Sequence, residues 1–423
     1  MSLLYCLPFL GLIACSSTYV NQEKNGIHYF DYAASAHVSS DALAEFIRVS
    51  ELDGNSSGIN LHSQKLKEIE RKSSVIIANK INAEGENIIF TNSATIANNI
   101  AILGVGRNSM LGPIYKYRKN GERNHFITTK IEHKSVLNVF KQLENEGFEV
   151  TYLDVDATGK IDLNQLKKSL KPTTVLISIQ MFNSEIGTMQ DMEKIGEIAS
   201  QNGILFHSDA SQAFGKYQID VEKFHLDFLT ISGYKIGAPK GIAALYVRNK
   251  EVLQPILFGS GNELFPGTKP TALIASFAKA VETYSIDMNK VKANYVALEN
   301  EIKKICDIRI NSTEPSHVFS VSIDGVLLGD VLERIRDYSF SSGCSCLGQG
   351  QSNVMKAIDP EGKIPTCTLR ISFSDKTNQS ELVTFAQKLK QVVNQLRKEK
   401  SVSNSCEKKK KSKELIDMLN KIK

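Results

Sequence analysis

Five short polar segments contain the side chains that could do chemistry, and each follows an apolar run of residues. They supply hydroxyl groups, an imidazole, carboxylates and a lysine, which together can bind an anion, move protons and bond to a carbonyl carbon. One such segment alone would be an ordinary helix cap or loop, but five in the same position favour a single site. The segments are residues 91–95, 132–133, 183–185, 209–212 and 232–235.

Five residues of these segments suit the parts of one cofactor. The backbone amide of Ala94 and the hydroxyl of Thr95 stand where a helix is predicted to begin, and a helix N-terminus binds phosphate. Lys235 lies in a tight loop, where a partly desolvated lysine can form a Schiff base. Asp209, at a strand end, can pair with a pyridinium nitrogen, and the ring of His133 can cover the face of an aromatic ring. Together these residues point to pyridoxal phosphate.

The elements that must position these segments are predicted to be strands that alternate with helices. Amphipathic helices are predicted over 135–146 and 192–201. Such alternation predicts an α/β fold with a mainly parallel sheet, whose ligands bind beyond the carboxyl ends of the strands. The predicted strands are 88–90, 126–128, 148–153, 174–179, 204–207, 228–231 and 243–247.

Nine short motifs occur in order along most of the chain. They are 30–35 (FDYAAS), 54–57 (GNSS) with His62 beyond, 89–95 (IFTNSAT), 132–136 (EHKSV), 183–187 (NSEIG), 207–212 (HSDASQ), 232–235 (SGYK), 341–346 (SSGCSC) and 368–373 (TLRISF). In these motifs the sequence resembles the cysteine desulfurases, a group of pyridoxal-phosphate enzymes within the class V aminotransferases. The resemblance extends from about Tyr29 to Arg397, and the order and spacing of the motifs agree throughout.

This resemblance implies the type I fold of pyridoxal-phosphate-dependent transferases. A large domain with a mainly parallel seven-stranded sheet is expected over 27–265, its first part contributing to the small domain. A smaller α+β domain with the catalytic cysteine loop is expected over 266–399. An apolar extension over 1–26 and a basic tail over 400–423 would flank them.

The resemblance also implies roles for individual residues. Lys235 is expected to carry the cofactor, His133 to stack on its ring and assist proton transfer, and Cys346 to act as the nucleophile. Arg370 is expected to bind the substrate carboxylate, because a guanidinium can hold it with two hydrogen bonds, and Asn55 is expected to contact the substrate. The expected cofactor-binding residues are Ala94, Thr95, Ser184, Asp209, Gln212, Ser232, Gly233, Tyr234, Lys235 and Thr268.

Four features depart from the pattern of that family. Tyr234 stands where a histidine usually precedes the Schiff-base lysine, and Ser184 stands where a second asparagine usually contacts the ring hydroxyl. Ile96 replaces a usual glutamate, and residues 264–268 form a shortened Arg-Ser-Gly-Thr loop that keeps Thr268 without the arginine. The key Lys, Asp, His, Arg and Cys remain, so the four changes indicate a diverged enzyme. They predict weaker or retuned cofactor binding.

The function implied by the resemblance is conversion of L-cysteine to L-alanine, with the sulfur carried as a persulfide on Cys346. The persulfide would pass to an iron–sulfur scaffold protein or another sulfur acceptor. A homodimer is expected, because Thr268 would reach the partner's cofactor phosphate. Two alternatives stay open: a lyase of selenocysteine or cysteine sulfinate, which can proceed without a protein thiol, and a catalytically weak paralogue that acts as a binding partner.

Composition and charge exclude several classes of protein. The 423 residues are 42% hydrophobic and 23% charged, which argues against a disordered chain and a polytopic membrane protein. Residues 397–423 contain ten Lys and Arg against four Asp and Glu, a net charge of +6. Since the whole chain carries +5, the rest carries −1. A nucleic-acid enzyme usually has its basic face on the folded part, so no nucleic-acid partner is predicted.

The seven cysteines are too few, and odd in number, for a disulfide framework. Cys344 and Cys346 with Cys367 could suggest a metal site. Zinc and iron–sulfur sites normally take four ligands at clearer spacing, so no resident metal is predicted. Cys306 is predicted to be a small core residue.

The two ends of the chain differ from its body. Residues 3–14 are almost wholly apolar but too few to span a bilayer, and no basic residue precedes them as in a secretion signal. Residues 12–15 also resemble a lipoprotein cleavage box that would acylate Cys15. A cytoplasmic location without membrane attachment is predicted, because an active-site persulfide favours a reducing compartment. Residues 414–422 are predicted to form one short amphipathic helix.

Overall fold

The computed structural model describes residues 26–111, 124–259, 263–342 and 352–420. The strands are β1 His28–Tyr29, β2 Ile88–Thr91, β3 His125–Thr129, β4 Glu149–Leu153, β5 Thr174–Ser178, β6 Leu205–Asp209, β7 Phe228–Ser232, β8 Ala243–Val247, β9 Ile308–Ile310, β10 Val318–Ile323, β11 Tyr338–Ser339 and β12 Cys367–Ser372. The α-helices are α1 Ser40–Ser50, α2 Leu61–Asn79, α3 Ala94–Leu111, α4 Lys134–Asn145, α5 Leu163–Ser169, α6 Met192–Gln201, α7 Thr271–Thr283, α8 Met288–Ile302, α9 Leu328–Arg334, α10 Asn353–Ile358 and α11 Gln379–Asn420.

A seven-stranded sheet forms the centre of the larger part of the molecule. Its strands lie in the order β2-β8-β7-β6-β5-β3-β4, and all neighbours are parallel except β8, which is antiparallel to β2 and β7. Every residue of β5, β7 and β8 is buried. Strands covered on both faces need apolar residues throughout, which explains their continuous apolar sequences. The predicted α/β architecture with a mainly parallel sheet is confirmed.

The helices beside this sheet follow from the periodicity of their apolar residues. In α4, Val136, Leu137, Phe140 and Leu143 lie on one face and are buried. The α3 helix is apolar on most of its surface, because it packs on the sheet and against α4. Because β8 is antiparallel to both β2 and β7, β2 runs in the same direction as β6 and β7. The N-terminus of α3, which follows β2, therefore lies at the same edge as their carboxyl ends.

A smaller antiparallel sheet, in the order β12-β10-β9, forms the second core of the molecule. Its apolar residues pack with those of α8 and α11, and Phe30 from the start of the chain joins them. Strand β1 pairs with β11 in parallel. The division of the chain at 265/266 stays a prediction, as does the assignment of the first residues to the small domain.

The segment 30–36 connects the two sheets. The backbone N–H of Tyr32 donates to the carbonyl of Ser372 at the end of β12, at 3.3 Å. The N–H of Ala36 donates to the carbonyl of Tyr234, just beyond β7, at 3.2 Å. This segment therefore places the end of β12 next to the carboxyl ends of the large sheet.

Two predictions about the C-terminal part are wrong. Cys306 is exposed, because it lies in the turn after α8, where its carbonyl accepts a hydrogen bond from Arg397. Residues 414–420 do not form a separate short helix but end α11, which runs unbroken from Gln379 to Asn420. No proline or glycine interrupts this stretch, so nothing in the sequence stops the helix.

Candidate active site

A cavity of about 460 Å³ lies at the carboxyl ends of the large sheet, where β12 and segment 30–36 approach it. Polar side chains from several strand ends converge there, as the sequence predicts. Ten of the predicted site residues line it: Ala94, Thr95, His133, Ser184, Asp209, Gln212, Ser232, Tyr234, Lys235 and Arg370.

The other four predicted site residues lie elsewhere. Gly233 is buried behind the cavity wall, where an added Cβ would meet Phe277 at 3.0 Å. Asn55 and Thr268 are exposed and do not line the cavity. Cys346 lies outside the described residues. The roles expected for these four residues stay predictions.

Lys235 occupies a short 3₁₀ turn, Gly233–Lys235, directly after β7. Its Nζ donates hydrogen bonds to the carbonyl oxygens of Ala33 and Ala34, the second at 2.8 Å. Burial, and then the neighbouring Arg370 cation, lower the pKa of Lys235 to about 8. An amine with a lowered pKa is a better nucleophile toward a carbonyl carbon near neutral pH.

The Asp209 carboxylate is held at the end of β6 by two hydrogen bonds. Its Oδ2 accepts from Asn98 Nδ2 at 2.9 Å, and its Oδ1 accepts from the N–H of Ser211 at 2.9 Å. Asn98 is fully buried one turn into α3 and was missed by the sequence reasoning. The signal was available, because an asparagine inside an apolar helix is costly unless it finds a partner.

Two unpartnered hydroxyl groups line the same cavity as the start of α3. The Oγ atoms of Ser232 and Ser211 are buried, and neither has a hydrogen-bond partner among the described residues. Buried hydroxyls normally have hydrogen-bond partners, so these two hydroxyls fit a bound group with several acceptor atoms. The first turn of α3, at Ala94 and Thr95, faces the same cavity and provides free backbone N–H groups.

Gln212 and Lys216 form hydrogen bonds to the backbone around Lys235. Gln212 Nε2 donates to the carbonyl of Ala33 at 2.7 Å, the same carbonyl that accepts from Lys235. Lys216 is buried, and its Nζ donates to the carbonyls of Gln212 at 3.1 Å and Lys235 at 3.4 Å. Burial, and then the Lys235 cation, lower the pKa of Lys216 to about 7. The sequence analysis did not single out Lys216.

His133 caps the N-terminus of α4 at the exposed side of the cavity. Its Nδ1 accepts from the N–H of Ser135 at 3.1 Å and lies 2.8 Å from the Ser135 hydroxyl. These contacts occupy Nδ1 and leave Nε2 as the nitrogen for other contacts. The ring therefore has a set orientation at the cavity edge.

Arg370 extends from β12 into the cavity and is almost fully buried. Its Nη2 lies 2.8 Å from Oδ1 of Asp31, and its Nη1 donates to the carbonyl of Ser184 at 3.2 Å. Asp31 was not predicted to be a site residue, although it belongs to the first motif. The two residues are 339 positions apart, so no local signal indicates their pairing.

Glu132 is a buried carboxyl group in the cavity wall that the sequence reasoning did not assign. Its Oε1 accepts from Thr129 Oγ1 at 2.7 Å and from the N–H of Gln180 at 2.9 Å. Burial raises the pKa of Glu132 to about 8, against the lowering effect of those hydrogen bonds. The folded protein therefore holds a proton on this group near neutral pH.

We expect Glu132→Gln to remove a pH dependence of stability. Between about pH 5 and 8 the folded state keeps the proton and the unfolded state loses it. The stabilisation is thus present at acid pH and is lost as the pH rises, at roughly 1.4 kcal/mol per pH unit. Other shifted groups titrate in the same range, and they are common to both proteins. Urea unfolding at pH 5.5 and 8 should therefore show the effect of Glu132 as the difference between the wild-type slope and that of the variant, with the wild type losing more stability as the pH rises. Glu197→Gln, an exposed control, should keep the wild-type slope, and equal slopes in all three proteins would contradict the assignment.

The segment that contains Cys346 begins and ends at the cavity. Ser341 pairs with Arg370 through two backbone hydrogen bonds, of 2.7 and 3.2 Å. Ser352 caps α10 and hydrogen-bonds Glu185, whose pKa burial raises to about 7. Ser341 and Ser352, on either side of residues 343–351 in the sequence, therefore both line the cavity.

The described part of the chain contains no group of His, Cys, Asp and Glu that could hold a metal ion. Cys367 is buried, and burial raises the pKa of its thiol to about 12. Such a thiol is a poor metal ligand and a poor nucleophile. Cys344 and Cys346 lie outside the described residues.

A second, larger cavity of about 800 Å³ lies beyond Phe182, which lines both cavities. An exposed ion pair, Lys160 with Glu314 at 2.6 Å, borders it, and apolar residues form much of the rest. It contains none of the titratable groups described above. The smaller cavity is therefore the candidate active site, although it is not the largest.

Comparison with known proteins identifies the family. The pattern of the family described as "Aminotransferase class-V" matches residues 28–385, most of the chain. This chain is a member of the class V aminotransferase family. Its relatives include cysteine desulfurase IscS of Ehrlichia chaffeensis, which is 34% identical over 400 residues, 89% of this chain and 94% of the relative. IscS of Neisseria meningitidis serogroup A is 34% identical over 384 residues, 87% and 93% of the two chains.

Solved structures support the same assignment within the class V family. SspA in complex with cysteine matches with a TM-score of 0.72 and 33% identity, over 83% of this chain and all (100%) of that chain. A NifS-like protein matches with a TM-score of 0.77 and 26% identity, over 87% and 99% of the two chains. The chain thus belongs with the cysteine desulfurases, and the predicted type I fold is confirmed. Within the described residues, no helix is both long and apolar enough to cross a membrane.

Proposed function

We propose that this protein is a pyridoxal-phosphate-dependent cysteine desulfurase that converts L-cysteine to L-alanine and transfers the sulfur to its own Cys346. The observation that carries the proposal is the convergence of Lys235, Asp209 and Arg370 in one cavity of a chain from this family. The similarity to SspA, solved in complex with cysteine, supports cysteine as the substrate.

Pyridoxal phosphate suits the residues of the cavity. Lys235 supplies the amine for its aldehyde, and Asp209 supplies the carboxylate for its pyridinium nitrogen. The start of α3 and the unpartnered Ser232 hydroxyl suit its phosphate. When bound, the cofactor acts as an electron sink that acidifies the α-carbon proton of the amino acid.

Three residues of the chain bind the substrate and move its protons. Arg370 binds the α-carboxylate with its remaining N–H groups. Lys235, with a pKa of about 8, takes and returns the α-proton near neutral pH. His133, with Nδ1 occupied by the helix cap, presents Nε2 as a second base at the cavity edge.

Cys346 receives the sulfur in this proposal. Its thiolate, the reactive form of the group, attacks the sulfur of the substrate. The carbon–sulfur bond breaks, a sulfur–sulfur bond forms on Cys346, and the carbon skeleton leaves as alanine after protonation. Anchoring of the segment at Ser341 and Ser352, both on the cavity wall, supports access of this residue to the substrate.

The sulfur then passes to an iron–sulfur scaffold protein or another acceptor, and we assign the enzyme to the cytoplasm. A homodimer is part of the proposal, and exposed apolar residues support it. Ile59, Leu61 and Phe258 are 90%, 74% and 87% exposed, and their burial against a second copy would stabilise a dimer. Asn55 and Thr268 do not line the cavity of their own subunit, so the roles expected for them would require the cavity of a second copy.

The test is release of sulfide and alanine from L-cysteine, measured with a reductant, in the wild type and Cys346→Ala. We expect equal amounts of both products from the wild type, and in Cys346→Ala a rate lower by roughly 10²-fold or more. Cys306→Ala, which changes an exposed cysteine, is the matched control and should keep the wild-type rate. Full sulfide release by Cys346→Ala would reject the persulfide mechanism and favour a lyase of selenocysteine or cysteine sulfinate. No turnover by the wild type would favour the weak paralogue.

A further inference from the structure

The guanidinium of Arg370 already has an anionic partner before any substrate binds. Its side chain is 9% exposed and that of Asp31 is 17% exposed, so solvent screens their 2.8 Å contact only weakly. The carbonyl of Ser184 accepts a hydrogen bond from a second N–H group of Arg370. The Nε of Arg370 is buried and has no partner among the described residues. Arg370 therefore keeps donors for one incoming carboxylate while its charge is balanced.

The main chain holds Asp31 in this position. The backbone of Asp31 forms a parallel β-bridge with Ser372, which lies two positions after Arg370 on β12. The carbonyl of Asp31 accepts from the N–H of Ala34 at 2.9 Å and from the Tyr29 hydroxyl at 3.0 Å. Because these contacts order the backbone on both sides, the carboxylate remains at the cavity when a ligand enters.

This fixed carboxylate changes which amino acids the cavity accepts. A substrate with one carboxylate and an uncharged side chain, such as cysteine, adds only its α-carboxylate to the Arg370–Asp31 pair. A substrate with an acidic side chain brings another negative charge close to Asp31 and Asp209 in a partly desolvated site. Like charges placed together in such a site repel strongly, because water screens them little.

We propose that Asp31 is a specificity-determining residue, which selects amino acids with uncharged side chains and rejects acidic ones such as aspartate and cysteine sulfinate. This inference rests on the proposed function, since it takes Arg370 as the carboxylate-binding group. It assigns substrate selectivity to the first motif of the chain, 339 positions before Arg370.

The test is equilibrium binding of L-alanine and L-aspartate to the holoenzyme by calorimetry, in the wild type and Asp31→Asn. We expect the wild type to prefer L-alanine, and Asp31→Asn to reduce the preference by about tenfold or more. If Asp31 had a purely structural role, its substitution would weaken the binding of both amino acids alike and leave the ratio of their affinities unchanged. Asp375→Asn removes a charge near the same end of β12 without touching Arg370, and should keep the wild-type ratio.

Two further variants guard against a folding defect in Asp31→Asn. Asp31→Glu keeps the charge and should keep the preference, whereas Asp31→Ser removes it and should behave like Asp31→Asn. A ratio within threefold of the wild type in both neutral variants would overturn the proposal, as would an equal change in Asp375→Asn. Because binding needs no turnover, a wild type that releases no sulfide would reject the proposed function and still leave the role of Asp31 measurable.

Discussion

Lys235→Ala lowers the rate of sulfide release from L-cysteine by roughly 10⁴-fold, the largest loss that we expect from a single substitution. The Lys235 amine lies in the cavity, has a pKa of about 8 and donates hydrogen bonds to the carbonyls of Ala33 and Ala34. Its removal takes away both the group that binds the cofactor covalently and the principal base. The purified variant should also lose the absorbance band of a lysine-bound cofactor.

The control for this experiment is Lys240→Ala. Lys240 is exposed and lies five positions further along the same loop, so its loss changes the charge without touching the cavity. It should keep the wild-type rate and absorbance. A Lys235→Ala variant that retains more than about a hundredth of the wild-type rate would contradict the assignment.

Arg370→Ala should lower both the affinity for cysteine and the stability of the protein. Without the guanidinium, Asp31 becomes a buried carboxylate that has lost its cationic partner, and breaking a buried ion pair costs about 3 kcal/mol or more. We expect the free energy of unfolding to fall by this amount in denaturant titrations. The KM for L-cysteine should rise at least about tenfold, because the substrate carboxylate loses its charged partner.

A double substitution separates these two effects. Arg370→Ala with Asp31→Ala removes both charges, and part of the lost stability should return because no unpaired carboxylate remains. The KM should stay high, since the group that binds the carboxylate is still absent. A loss of less than about 1 kcal/mol in the single Arg370→Ala variant would contradict a buried ion pair between Arg370 and Asp31.

The large sheet is well predicted because its strands are short, apolar and separated by amphipathic helices. The prediction of a strand over 243–247 agrees with β8 residue for residue, and the helix over 192–201 agrees with α6. These patterns are local, since burial on both faces of a sheet requires a continuous apolar run. The polar residues at the strand ends then share one edge by topology alone, which is why ten predicted residues line the cavity.

Residues whose role depends on distant contacts were missed. Asp31 meets Arg370 across 339 positions, and Asn98 meets Asp209 across 111. Glu132 lies directly before a predicted site residue, but its raised pKa arises from burial under neighbouring strands, which no short motif reports. Cys306 was predicted to be buried from its residue type, whereas its place in a turn decided its exposure.

The sequence by itself determined which chemical groups this protein has and the order in which the strands present them. It therefore predicted the type I fold, the family and the lysine, aspartate, histidine and arginine of the cavity. The tertiary structure alone decided the electrostatic state of those groups. Burial lowers the pKa of Lys235 and Lys216 and raises that of Glu132, and only the meeting of two sheets pairs Arg370 with Asp31. Desolvation and long-range pairing depend on what surrounds a side chain in space, and residue types and their spacing do not specify those surroundings.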